Sequence, residues 1–268
     1  MKKETINKFL ISICLILCLM PNALNAQSKK PLNMPLYDDE PYHFGFILGI
    51  NQMMFTMDFI DNYQSVIHQP NELPYQPDGT DDLFMESPFK VYDIYSEPKY
   101  GFTVGVIGNL RLARHFDLRF SPSLSFGERE IRYTIASLQA DLDNVVLKQL
   151  TSSIQSAFGE FPLHIKYKSK RNYNTAAYIL AGVNYKMDMS FKKDIDKNEQ
   201  LKELNVKRHD IAAEIGAGFD FYTGYFKLGV ELKMSYGLLD VAKDKDYMFT
   251  SSFDSLRNKG FQISFTFE

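Results

Sequence analysis

From residue 42 onward the chain alternates between apolar and polar positions. Phe116, Leu118, Phe120, Pro122, Leu124 and Phe126 are interleaved with Asp117, Arg119, Ser121, Ser123 and Ser125. Strict period-2 alternation marks an extended strand with two unlike faces. The same pattern recurs over Phe44–Ile50, Tyr100–Leu112, Phe161–Tyr167, Ala177–Met187, Ile211–Phe221, Phe226–Tyr236 and Phe261–Phe267. It predicts eight strands, most of them near the roughly 10 residues that cross a bilayer when tilted. Pro122 and Pro162 lack backbone donors and weaken the strands that hold them. The connections alternate as well. Residues 113–115, 169–174 and 222–225 make short links, whereas about 58–99, 136–153, 192–207 and 238–259 make long ones. An even strand number with short turns at one end and long loops at the other is the layout of an outer-membrane barrel. The expected fold is all-β: an eight-stranded antiparallel transmembrane outer-membrane β-barrel over residues 42–268, with short periplasmic turns and long extracellular loops. The first long loop holds Pro70, Pro74, Pro77, Pro88 and Pro98 with acidic Asp78, Asp81 and Asp82, and reads as a surface cap.

The start of the chain follows a different rule. Lys2, Lys3 and Lys8 precede an apolar run from Phe9 to Met20, which Pro21 ends; Ala26-Gln27 offers a cleavage point. Residues 1–26 therefore read as a signal peptide, too short in its apolar run to span a membrane as a helix. Residues 27–41 are polar and read as a periplasmic N-terminal arm. Both cysteines, Cys14 and Cys18, fall inside the signal segment behind Ile13 and Leu17, which argues against lipidation and leaves the exported chain without a disulfide.

Composition sharpens the choice of barrel. Of 268 residues, 22 are Phe and 16 are Tyr, with no Trp. The aromatics Phe44, Tyr100, Phe116, Phe126, Tyr167, Tyr185, Phe226, Tyr236, Phe261 and Phe267 stand mostly near strand ends, where interfacial girdles form. The net charge of −3 supplies no clustered basic face for nucleic acid. The polar strand faces hold Arg111, Arg119, Lys166, Lys186, Lys227 and Lys233 beside Asp117, Glu160, Asp188, Asp210, Glu214, Asp220 and Glu231. A soluble barrel would turn this set outward. Its balance of signs and its many interspersed Gly and Ser residues favour a crowded interior, because eight strands enclose a lumen only just wide enough for side chains. Arg111, Asp117, Arg119, Glu160, Lys166, Asp210, Glu214, Asp220, Lys227, Glu231 and Lys233 are thus expected to form a structural charge ladder in the lumen.

Little in the chain points to catalysis. His43, His68, His115, His164 and His209 show no i, i+3 or i, i+4 spacing, so no metal-ligand pattern emerges. His164 alone sits mid-strand on a polar face, as a lipid-modifying enzyme would need, but no nucleophile motif accompanies it. Asp194-Ile195-Asp196-Lys197-Asn198 begins like a calcium loop, yet Glu199 replaces the turn glycine and Asn205 the bidentate glutamate. Gly216-Ala217-Gly218 lies within an alternating strand and reads as packing room. The expectations are no enzyme activity, no cofactor, no metal and no small-molecule substrate.

Two segments carry a family resemblance. Leu36-Tyr37-Asp38-Asp39-Glu40-Pro41-Tyr42-His43-Phe44-Gly45-Phe46-Ile47-Leu48-Gly49-Ile50-Asn51 joins a polar stretch to a first strand opening His-Phe-Gly-Phe-x-Leu-Gly-x-Asn, and Glu160–Lys168 looks like a fourth strand. Together they resemble the PorT family of small outer-membrane barrels, over most of residues 36–268. The resemblance implies a component of the type IX secretion system that binds other secretion components, within outer-membrane lipid, and supports export of folded cargo and gliding motility. Tyr37, Asp38, Asp39, Tyr42 and His43 are its candidate partner-binding residues. One departure stands out: Glu268 follows the aromatic Phe267 that such barrels place last. The competing expectation is a passive structural or adhesive barrel of OmpA/OmpX type.

Overall fold

The computed structural model describes residues 31–70, 87–138, 147–190, 206–243 and 251–268. The signal segment 1–26, the calcium-like stretch 194–199 and Asp78, Asp81 and Asp82 lie outside the described residues. Within them the chain forms one antiparallel sheet of ten strands: β1 (Tyr42–Phe59), β2 (Ile67–His68), β3 (Phe89–Arg111), β4 (Phe116–Phe120), β5 (Ser123–Ser137), β6 (Leu147–Lys168), β7 (Thr175–Asp188), β8 (His209–Tyr222), β9 (Lys227–Gly237) and β10 (Phe253–Phe267). β1 pairs with β10 on one side and with β3 on the other, so the sheet closes into a barrel.

The strand count differs from the expected eight for two reasons. β2 is a two-residue strand inside the first long connection, laid on the start of β3. The second reason lies in the prolines. β4 and β5 together fill one position between β3 and β6, and the ladder is interrupted between Phe120↔Leu163 and Ser123↔Glu160. By register Pro162 stands opposite Ser121 and Pro122 opposite Phe161, so each strand has a residue in that gap with no N–H to give. Asn184 of β7 repairs part of the loss by accepting from the Phe161 N–H at 3.1 Å. The ring therefore has eight positions but ten strands.

The strands are also longer than the alternation suggested. β1 runs on to Phe59, β3 begins at Phe89, β5 reaches Ser137, and β6 and β10 begin at Leu147 and Phe253. Parts of the expected long loops are thus sheet. The alternation was harder to read there because the chemistry of the inward face changes. Near the short turns the inward positions are polar; toward the long-loop end Phe55, Val91, Ile131, Tyr133, Ile135, Leu150, Phe253 and Leu256 pack into a second, apolar core, joined by Val206, Val241 and Ala242. Tyr133 and Ile131 are fully buried in it. Each large apolar side chain removed from water there contributes about 1.5–3 kcal/mol.

On the other face, Phe44, Tyr100, Phe116, Tyr167, Tyr185, Phe226 and Phe261 are all exposed, with Phe46, Leu48, Ile50, Val104, Leu163, Ile179, Ile215 and Leu232 between them. The band faces outward all around the ring, where water would penalise it and lipid would not. No helix among the described residues is long and apolar enough to cross a membrane.

The apolar core should be a separable contribution to stability. Phe253→Ala is expected to cost about 3–5 kcal/mol, read as a lowered urea midpoint of the folded barrel in lipid vesicles. A midpoint unchanged from the parent would show that this end of the barrel is not packed as described.

Candidate functional site

The lumen and its short-turn mouth hold the charged residues expected of the ladder, most of them in ion pairs. Near the mouth, Arg119 is almost fully buried. Its guanidinium donates to Glu231 at 2.8 Å, to Glu268 at 3.0 Å and to Asn109 at 2.9 Å. Lys227 reaches the other carboxylate oxygen of Glu268 at 3.0 Å, and Lys166 donates to Asp220 at 2.7 Å. Asn109 also donates to Glu268, and the Tyr178 hydroxyl donates to Glu231 at 2.9 Å. Gly218 makes this possible, because a Cβ there would stand 2.6 Å from the Tyr178 ring. That is the packing role expected of the Gly216-Ala217-Gly218 stretch.

At mid-height Glu214 is the hub. It accepts from His164 at 2.8 Å, lies 3.0 Å from Lys233 and 3.9 Å from Lys186, and accepts from Asn184 at 2.8 Å. Lys186 also meets Glu160 at 3.3 Å. His164 is 1% exposed and hydrogen-bonded within the lumen. Toward the long-loop end Arg129 bonds Asp188 at 3.0 Å and Ser156, while Asn258 donates to Asp210 at 2.8 Å. The ring centroids of Phe55 and Phe158 lie 4.9 and 4.8 Å from the Arg129 guanidinium carbon, where the polar lumen gives way to the apolar core.

The N-terminal arm closes the mouth. Residues Tyr37–Asp39 form one turn of 3-10 helix. The Tyr37 ring stacks on His43 at 3.9 Å, meets Tyr222 edge-on at 5.8 Å and lies 4.7 Å from the Lys227 ammonium. Burial pushes its phenol above the usual range, which keeps it a neutral donor toward Glu268. Asp38 accepts from the Tyr222 hydroxyl at 2.8 Å; Asp39 pairs with Arg111 at 3.3 Å; His43 donates to the Tyr37 carbonyl at 2.8 Å. Arg171 pins the preceding residues by donating to the carbonyls of Asn33 and Met34. Of the five candidate partner-binding residues, Tyr37, Asp38, Asp39 and His43 are thus engaged within the chain, and Tyr42 faces outward, well exposed. Asp117 pairs with Lys168 at 3.0 Å just inside.

Several participants lay outside the expected charge ladder: Glu268, Arg129, Lys168, Asn109, Asn184 and Tyr178. The signal for most was present. Glu268 continues the inward parity of Gln262, Ser264 and Thr266, Lys168 that of Lys166, and Arg129 that of Ser123 and Ser125. With Lys168, Arg129 and Glu268 added, the expected six bases and seven acids become eight and eight. Among the described residues no group of His, Cys, Asp and Glu could hold a metal ion.

Comparison with known proteins agrees with this architecture. The family model described as "Outer membrane protein beta-barrel domain" matches residues 25–243. Among solved structures, the chain resembles Ail, the attachment invasion locus protein of Yersinia pestis, solved in complex with the heparin analogue sucrose octasulfate. The similarity covers 85% of this chain and 98% of that one, at 10% identity and a TM-score of 0.34. No curated protein matches the sequence.

The Arg119 cluster offers a direct test of the lumen. Arg119→Met leaves Glu231 and Glu268 buried without their shared cation, and is expected to cost about 3–5 kcal/mol. Adding Glu231→Met should restore part of that loss, because one stranded carboxylate is removed. Urea unfolding of all three proteins in vesicles measures both steps; a double variant no more stable than the single one would argue against direct pairing.

Proposed function

The chain belongs to the outer membrane protein beta-barrel domain family, and from that premise we propose that it is a non-enzymatic component of type IX protein secretion. It acts in the outer membrane by binding other secretion components, and supports export of folded cargo and, in gliding bacteria, motility. The observation that carries this reading is the PorT-like segment Leu36–Asn51, whose first half forms the mouth plug and whose second half opens β1. The filled lumen supports it. Paired charges occupy the interior, and the Tyr37 plug and the apolar core stand at its two ends, so cargo does not pass through this barrel and the work falls to its surfaces. Outward-facing Leu36 and Tyr42, beside the plug, are the exposed part of the segment on offer to a partner.

A second reading, an adhesive barrel, is favoured by one feature. β3, β5, β6 and β10 continue past the apolar band on the long-loop side over a core of their own, which makes a rigid platform for loops.

Deleting the gene is expected to block export of type IX cargo while other outer-membrane proteins assemble normally, as read by comparing culture supernatants and membranes. Normal export in the deletion strain sinks the secretion reading. Replacing the four long connections with short turns separates the two: loss of surface binding with export intact supports the adhesive barrel, whereas loss of export supports the secretion component.

A further inference from the structure

The short-turn end carries a second feature beside the plug, two of whose cations neither the lumen network nor the plug uses. A cavity of about 450 Å³ opens between the arm, the β3–β4 turn and the β6–β7 turn. Arg111, Arg114, Lys168, Lys170 and Arg171 line it, against only Asp38 and Asp39. The accounting of partners divides these cations. Lys168 is held by Asp117, Arg111 by Asp39, and Arg171 by the carbonyls of Asn33, Met34 and Tyr173. Arg114 and Lys170 have no acidic partner among the described residues, and both are exposed at the tips of their turns.

Position narrows the ligand. The cavity adjoins the outward aromatics of the same rim: His115, which lines it, lies 6.1 Å from the Tyr167 ring, and Tyr167 lies 5.1 Å from Phe116. Exposed Leu112 stands just before Arg114. Apolar side chains beside unpaired bases at the edge of a lipid-facing band mark the level of lipid headgroups, where phosphates collect and where Lys and Arg are favoured. Two flexible cations converging from separate turns suit a tetrahedral oxyanion that accepts from several directions.

We propose that this cavity is a phosphate site for the periplasmic leaflet, in which Arg114 and Lys170 take the phosphate of an anionic phospholipid headgroup beside the mouth plug. The site is independent of any secretion partner, since its ligand belongs to the membrane. The two turns would then be pinned to the leaflet, and the arm with them, through Arg171 and Arg111.

The test uses the full purified chain in a neutral detergent, with its unboiled gel band as the check of folding. Binding is followed by thermal shift on adding phosphatidylglycerol, phosphatidylcholine or inorganic phosphate. Phosphatidylglycerol should bind at least tenfold more tightly than phosphatidylcholine. Arg114→Gln combined with Lys170→Gln should weaken it about thirtyfold, near fivefold for each base lost, while Lys207→Gln and Arg208→Gln at the opposite end should not. If millimolar inorganic phosphate displaces the lipid, free phosphate shares the site; if it does not, the headgroup is the ligand. Both outcomes keep the phosphate assignment. Equal response to the two lipids, or undiminished binding in a folded Arg114/Lys170 double variant, overturns it. These readings involve no export assay, so they stand or fall apart from the secretion proposal.

Discussion

Inside a ring of eight positions there is no room for bulk water, and each charge placed there must be neutralised by the opposite wall. An isolated buried ion costs several kcal/mol, and one partner alone rarely offsets it unless its remaining hydrogen-bonding capacity is also met. Two carboxylates at the centre of the network meet that requirement by sharing. Glu268 takes Arg119, Lys227 and Asn109; Glu214 takes His164, Lys233 and Asn184. Each carboxylate thereby ties together three or more strands that are distant in sequence. Such pairs add little net stability against an apolar filling, but they do fix register. A one-residue slip in any strand turns its inward charges toward lipid and its outward aromatics into the lumen. The same constraint explains the abundant inward Gly and Ser, which leave space for Arg119 and Tyr178 to cross.

The barrel has two interiors, and the boundary between them is chemical. Below Arg129 the filling is ionic; above it, aromatic and aliphatic. Arg129 spans the change, with its guanidinium bonded to Asp188 and Ser156 and flanked by the rings of Phe55 and Phe158. An apolar core needs no partner bookkeeping, and it suits the part of the ring that rises beyond the lipid-facing band, where outward positions such as Thr56, Asp58, Glu128 and Thr151 are polar. Inverting the two faces between one half and the other is how one continuous sheet serves two solvents.

That inversion also sets what was legible in the chain. In the lower half, an apolar outward face against a polar inward one produced clean alternation. It identified the class of fold, the outward aromatic band and the charged inward set, from Arg119 to Lys233. In the upper half the meaning of the alternation reverses, bulges shift its phase in places, and Val91, Leu150 and Leu256 were absorbed into loops. The β4–β5 break was visible as Pro122 and Pro162, yet their falling in the same gap of one ladder is a long-range fact that no local pattern carries. Glu268 was legible by parity and was obscured by the expectation of a terminal aromatic. The arm was harder still. Tyr37-Asp38-Asp39 reads as a solvated, polar stretch, and only the closed ring brings His43, Tyr222 and Lys227 around it.

The arm's site is therefore a property of the finished barrel rather than of any segment. Tyr37 rests on the start of β1, the end of β8, the start of β9 and the residue that follows β10. Asp38 and Asp39 add contacts to the end of β8 and the end of β3. These parts lie beside one another only once β1 has paired with both β3 and β10. Seating the arm then draws on binding groups that closure has already ordered, so the entropic cost falls on a few arm residues alone. With its mouth occupied by its own chain and most of its described lumen charges paired, the barrel's interior is largely committed to itself. What remains available is the outward surface: the exposed half of the arm with Leu36 and Tyr42, the cationic turns beside it, and the loops that stand on the apolar core at the other end.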